Sequence, residues 1–339
     1  SQFGIRFHTT QEESKKLYKS GSEFLQNPVK KTCDGKIIPA SWFIVLLLLI
    51  GLFSTALNAQ ELTPRAYWPT PTGTNVMIFG YQNSSGDTLT DPSLPVVGIN
   101  SNINFGQLGY QRTLDLFSRT ATVQINAPYS WGTTDGFLNG QYRDRKTSGF
   151  ADAQVRFAIN LRGAPSMDNE EFRQLLANPK TMIGASLLLK MPTGEYDPDK
   201  LINIGANRWA AKPAIGFILP LRPTLFLEYE FGAWFYGNND AFLGQTRKQK
   251  PVISTEAHLV KITRSGVWAA LDINYYRGGQ TSIGKTYQEN LLRNSRFGGT
   301  LFYPWKHHHG VKASYSRGIV TSSGGDFTII TMSYTYAWQ

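Results

Sequence analysis

Residues 224–236 read "TLFLEYEFGAWFY". On an extended chain Leu225, Leu227, Tyr229, Phe231, Ala233 and Phe235 fall on one side, and Glu228, Glu230, Gly232 and Trp234 on the other. Such period-two alternation specifies a β-strand between two unlike environments. A soluble sheet would bury the apolar row and expose the two carboxylates. A transmembrane barrel would turn the apolar row to lipid and the carboxylates inward.

The same period recurs in "TATVQINA" from Thr120, "AQVRFAINL" from Ala153, "IGASLLLKM" from Ile183 and "VWAALDINYY" from Val267. It closes the chain in "FTIITMSYTYAWQ" from Phe327, where Ile330, Met332, Tyr334, Tyr336 and Trp338 share a face. About twelve strands can be laid along the sequence in this way, an even number as bacterial barrels require. The connections then decide between the two readings. Those at 82–95, 128–149, 192–208, 236–251, 277–295 and 318–326 are long, and they alternate with short ones at 113–117, 220–223, 263–266 and 304–310. The exception on the short side, 162–180, carries "PSMDNEEFRQLLANP". There Ser166 or Asp168 can cap a helix near 166–178, with Glu170 and Glu171 in its first turn and Pro179 past its end. Sorting of connections by parity is a property of outer-membrane barrels, with short periplasmic turns and long outer loops. The expected fold is therefore all-β: a transmembrane antiparallel up-and-down β-barrel of about twelve strands with a short periplasmic helix. Its last strand closes on the first, near "NVMIFGYQ" at 75–82.

Composition agrees. Mean hydropathy is only -0.27, yet aromatics reach 13% and glycine numbers 32 in 339 residues. A polar lumen dilutes a lipid face in this way. The one continuously apolar stretch, 42–53, is shorter than the roughly 20 residues of a spanning helix. With Lys30, Lys31 and Lys36 before it and "STALNAQ" after it, it reads as a signal peptide over 36–59, cleaved after Ala59. Residues 1–35 form a leader of unknown role, and 60–339 the barrel domain. The single cysteine, Cys33, precedes the cut. After residue 59 the chain keeps 27 basic and 20 acidic residues, a net charge of +7. These are scattered rather than clustered, so nucleic acid is not an expected partner. The expected location is the outer membrane of a Gram-negative cell. The expected partners are outer-membrane lipid and lipopolysaccharide, the barrel-assembly machinery and a small-molecule solute. Residues 60–74 are too few for an energy-coupled plug domain.

Inward-facing candidates are Asp152, Arg156, Lys190, Lys212, Glu228, Glu230, Glu256, His258, Asp272, Arg296 and Lys312. Both signs are present, which argues against strong ion selectivity. They either line a narrow channel, with Trp234 and Trp268 as contacts for a flat solute, or form an ion-pair network across a sealed lumen. Ser254, Glu256 and His258 share one strand face at about 7 Å per step, too far apart for a nucleophile and its base. The "KHHHG" turn at 306–310 is a solvated turn by composition. No catalytic residue, metal or cofactor is expected, and the protein is not expected to be an enzyme.

Residues 187–217, "LLLKMPTGEYDPDKLINIGANRWAAKPAIGF", carry a loop motif of Pro192, Gly194, Tyr196, Asp197, Asn207, Arg208 and Trp209. This unit resembles the meta-pathway phenol-degradation family, whose members are called transporters, and the likeness extends over most of 74–339. The resemblance implies an outer-membrane barrel for passive passage of small hydrophobic or aromatic molecules. The alternatives are a sealed barrel acting through its outer loops and, behind it, a lipid-modifying barrel enzyme. Arg208 is placed to pair with Asp197 or Asp199 and Trp209 to join the outer aromatic girdle. A loop folded down over the mouth is favoured there over a ligand site.

Overall fold

A computed structural model describes residues 62–89, 96–306 and 308–339. The leader with Cys33, the signal segment, and His307 of the histidine turn lie outside the described residues. In chain order the strands are β1 Asn75–Leu89, β2 Val96–Leu116, β3 Arg119–Leu138, β4 Gln141–Phe150 and β5 Gln154–Arg162. Helix α1, Asn169–Ala177, precedes β6 Met182–Lys190, β7 Ala210–Arg222, β8 Leu225–Tyr236, β9 Asn239–Phe242 and β10 Gln245–Gln249. Then come β11 Val252–Ile262, β12 Trp268–Gly278, β13 Thr281–Ile283, β14 Thr286–Tyr287, β15 Leu292–Lys306, β16 His309–Val320 and β17 Gly324–Trp338.

The wall is one ring of antiparallel neighbours. Strand β17 pairs with β1 from Asn75↔Trp338 to Leu89↔Gly324, so no edge is left in the hydrocarbon. Strands β4 and β5 both pair with β3 and are two halves of one descending wall strand, broken at 151–153. Counted so, the wall has twelve strands, as the sequence pattern predicts. Strands β9, β10, β13 and β14 form a separate four-stranded sheet at the long-loop end.

Which face meets what is decided by inversion of a soluble core. On β12, Leu271 is 69% exposed and its neighbour Asp272 only 4%. On β15, Phe297, Leu301 and Tyr303 are exposed while Arg296 is fully buried. Glu228 and Glu230 are buried and Tyr229 and Phe231 exposed, which excludes the soluble alternative for residues 224–236. An apolar outer belt around a charged interior is stable only where the outer solvent is lipid. Tyr336 stacks on Trp338 at 5.4 Å, and Tyr110 lies 6.3 Å from Trp338, placing aromatics at the short-turn rim.

Two expected long loops prove to be strand. Residues 82–89 continue β1 and 129–138 continue β3, which then pairs with β4 across an Asn139-Gly140 turn. Both turn residues have positive φ (52° and 76°), as a two-residue hairpin of matching twist requires. The ladder rises above the lipid, where the outer face meets water; polar residues then occupy both faces, exposed Asn100 and Asn102 against buried Ser101 and Thr134, and hydropathy alternation fades although pairing continues. At the short-turn end α1 forms where predicted. Asp168, rather than Ser166, is its N-cap, accepting from the Glu170 and Glu171 amides, while the Glu171 side chain returns to the Asp168 amide.

Candidate functional site

The lumen of the described chain holds a segment that the strand pattern does not announce. Residues 62–74 rise from the short-turn rim, where Thr72 N donates to Met167 O at 2.8 Å, to mid-wall, where Leu62 lies beside Gly298. Its lower end is tied to the wall by backbone, Gly73 N donating to Thr113 O of β2 at 3.0 Å and Thr113 N to Thr74 O at 2.8 Å; above that, side chains hold it. Thr63 N and its hydroxyl donate to Glu256 Oε2 at 3.4 Å each. Arg65 N donates to Glu228 Oε2 at 2.6 Å. The Tyr67 hydroxyl donates to Glu230 Oε2 at 2.7 Å and lies 2.8 Å from Ser186 Oγ. Arg156 Nη1 donates to Ala66 O at 2.8 Å while its guanidinium covers the Tyr67 ring at 4.9 Å.

Glycines make room for this. A Cβ on Gly216 would stand 2.1 Å from Tyr67 Cε2, and one on Gly184 would stand 2.5 Å from Tyr67 Cδ1. The Tyr67 ring thus lies against bare backbone of β6 and β7. Burial, reinforced by the Glu230 carboxylate, pushes the Tyr67 hydroxyl well above its ordinary range, so it remains a donor. Arg65 has φ of 65°, a left-handed conformation that a non-glycine residue holds only when its surroundings enforce it. Its guanidinium lies over Trp68 at 4.3 Å and Trp268 at 5.4 Å. Burial lowers that guanidinium to about 10, with Glu228 opposing the shift.

Most of the predicted lumen residues converge on this segment. Lys212 Nζ bridges Glu230 Oε1 at 2.5 Å and Glu256 Oε1 at 3.4 Å. His258 Nδ1 lies 2.7 Å from Asp272 Oδ1, and Asp272 Oδ2 accepts from Thr300 at 2.8 Å. Arg296 turns away from the segment and donates to Phe327 O at 2.7 Å and to Ser316. Lys190 and Lys312 are half-buried. Trp268 stacks on Phe302 at 5.6 Å in an apolar floor with Met182, Ile218, Phe226 and Val260. Trp234 stacks on Tyr236 at 6.3 Å, against Val252, Tyr276 and Leu292.

At the outer mouth the motif loop, 191–209, is clamped rather than loose. Asp152 sits at the break between β4 and β5 and serves the loop: its Oδ1 accepts from Gly194 N at 3.0 Å and its Oδ2 from Ala206 N at 2.9 Å. Asp197 is spent within the loop, accepting from Asp199 N at 3.0 Å, while Asn203 bonds both ends of the Asp197 backbone. Arg208 therefore pairs with neither Asp197 nor Asp199. It donates to Gln249 and covers the Tyr236 ring at 4.7 Å. Asn239, which carries no strand or motif signal, joins the loop to β9: its amide donates to Tyr196 Oη and Ala206 O and accepts from Asn207. Pro192 precedes the loop's first turn, and Trp209 is exposed at its end.

Residues 81–335 match the family described as "Putative MetA-pathway of phenol degradation". No curated protein matches the chain. Among solved structures, an outer membrane channel from Pseudomonas putida F1 superposes with a TM-score of 0.68 at 20% identity, covering 82% of this chain and all of that one. The transport unit of the autotransporter AIDA-I from Escherichia coli gives a TM-score of 0.46 at 13% identity, over 88% of this chain and 98% of that one.

Proposed function

The chain belongs to this phenol-degradation family of outer-membrane barrels, and we propose that it is a channel for passive passage of small molecules, hydrophobic or aromatic ones among them. One observation carries the reading. The lumen is lined by charged and polar side chains, and its lower half is filled by residues 62–74, of which 62–71 are held through side-chain contacts instead of sheet pairing. Such a filling can leave without breaking the wall. The solute class leans on the family description and on the aromatic-rich mouth and lumen. The P. putida neighbour, itself titled a channel, has the same fold. The protein works in the outer membrane after signal cleavage, in contact with its lipids and lipopolysaccharide once the assembly machinery has inserted it.

A second reading, a permanently sealed barrel, is favoured by the apolar floor in which Tyr67 packs with Met167, Met182, Phe226 and Trp268. Planar-bilayer recording separates the two. Full-length processed protein should open rarely, and a variant lacking residues 62–70 should conduct steadily. If the deletion folds, inserts and stays silent, the lumen is sealed by its wall and the channel reading fails. The lipid-enzyme alternative has weaker support. With Nδ1 of His258 on Asp272, its Nε2 faces the Glu256 carboxylate at 3.7 Å rather than a nucleophile, and Ser254 lies two residues before Glu256 on the same strand.

A further inference from the structure

The outer mouth contains a cavity of about 320 Å³ between the motif loop and the β9–β10 hairpin. Its apolar lining includes Leu201, Ile202, Ile204 and Phe242, and its charged lining is Arg208 and Arg247. No aspartate or glutamate lines it. Neither arginine forms an ion pair among the described residues. Arg208 Nη1 is buried and has no hydrogen-bond partner. Arg247 lies over the Phe242 ring at 5.1 Å. The carboxylate that acts on Arg208, that of Asp152, already spends both oxygens on loop amides.

A half-buried guanidinium with an unused, desolvated N–H is costly, and two facing one cavity repel each other. Burial first and Arg247 second pull Arg208 down to about 10. Burial lowers Arg247 as well. Proteins keep such pairs where an anion completes them, the planar fork of arginine matching a carboxylate. The cavity is preformed. Asn239 fixes its floor, and Leu243 N donates to Pro198 O at 2.8 Å across its two sides. Its volume is near the lower end for small-molecule sites, about 300 Å³.

We propose that this cavity binds a small organic carboxylate with an apolar body, the carboxylate on Arg208 and Arg247 and the body against the aliphatic loop residues and Phe242. The assignment rests on the channel reading for its purpose and names the class of solute captured at the outer mouth.

Isothermal titration of detergent-solubilised full-length processed protein with benzoate tests it, with benzyl alcohol and acetate as comparators. Benzyl alcohol keeps the ring and loses the charge; acetate keeps the charge and loses the ring. Benzoate is expected to bind at least about tenfold more tightly than either, since a charge-assisted bond is lost in one case and apolar burial in the other. Arg247→Gln is expected to weaken benzoate by about tenfold and leave benzyl alcohol unchanged. Equal binding of benzoate and benzyl alcohol to the unaltered protein overturns the proposal, as does no benzoate binding at all. Undiminished benzoate binding by folded Arg247→Gln also overturns it. The comparators need no variant, so misfolding of the mutant leaves the test intact. A barrel that conducts but does not bind benzoate loses only this site; one that binds benzoate but never conducts loses only the channel.

Discussion

Replacing Tyr67 by phenylalanine removes one hydroxyl from the lumen and leaves the ring in its slot between Gly184 and Gly216. The hydroxyl donates to the Glu230 carboxylate at 2.7 Å and meets Ser186 at 2.8 Å. A hydrogen bond to a charged group contributes about 1.5–3 kcal/mol net. Glu230 keeps Lys212 at 2.5 Å on its other oxygen and Arg156 at 4.0 Å, so it is not left unpaired and the lower figure applies. About 1.5 kcal/mol shifts an equilibrium between seated and withdrawn segment by roughly tenfold. The ring, its apolar contacts and its cover by Arg156 persist, so folding should not change. The assay is open probability in planar bilayers, wild type against Tyr67→Phe at the same voltage and salt. A rise of about tenfold at unchanged single-channel conductance is expected, because the open pore is the same pore. An open probability within twofold of wild type would refute the view that this hydroxyl holds the segment.

Leu271→Arg places a charge at mid-strand on the lipid face and should lower barrel stability by about 2–4 kcal/mol, read as a shifted urea midpoint in lipid vesicles; an unchanged midpoint would contradict the assigned outer face. Asp152→Ala deprives the Gly194 and Ala206 amides of their acceptor, and trypsin applied to whole cells should then cut at Lys200 roughly tenfold faster. No acceleration would mean that the loop is held by other contacts. Asp168→Ala removes the α1 cap, a loss of about 1 kcal/mol, and amide exchange over 169–177 should quicken about fivefold with the wall amides unaffected. Mass spectrometry of protein recovered from outer membranes should show a chain beginning at Gln60; a mass that includes Cys33 would sink the signal-peptide reading.

What the sequence reveals follows the contrast between the two faces of each strand. On β8 and β12 lipid and lumen differ sharply, so the inward set Glu228, Glu230 and Asp272 is legible from alternation alone. Above the lipid, "INSNINFG" at 99–106 sets exposed Asn100 and Asn102 against a face that includes buried Ser101, and with polar residues on both faces alternation no longer marks a strand that is still paired. The Asn139-Gly140 dipeptide was the local signal available there, a two-residue hairpin turn inside what otherwise reads as a long loop. The lumen filling was harder. Alternation says which side chains point inward but not what they meet, and "TPRAYWP" at 63–69 has no period of its own. Its two prolines and its aromatics, just before β1, were the only hint. Arg208 departs from the sequence expectation for a related reason: proximity in sequence favours Asp197 and Asp199, whereas the fold brings Gln249 and Tyr236 from distant strands. Asn239 reaches Tyr196, Ala206 and Asn207 through tertiary contacts that strand alternation does not mark.

The charge network itself bears on whether residues 62–74 are a core or a gate. Lys212 with Glu230 and Glu256, and His258 with Asp272 and Thr300, are contacts of wall with wall. They persist if the segment withdraws. The segment takes the remaining oxygens, Oε2 of Glu228, Glu230 and Glu256. Glu228 is the exception, since its Oε1 has no partner and its Oε2 is met by the Arg65 amide. A lumen whose charges required the segment would be locked by the cost of stranding them in a dry interior. Here water entering behind the departing segment has the Glu228 carboxylate and the Arg156 N–H freed from Ala66 O to solvate, and the left-handed strain at Arg65, of order 1–3 kcal/mol, is released in the same step. Against this stand the apolar contacts of Tyr67 and Trp68 in the floor, which hold the segment seated. Apart from Glu228 and Arg156, the wall charges thus keep wall partners without the filling, and the filling is held mainly by apolar area and a few hydrogen bonds, the combination the proposed gate requires.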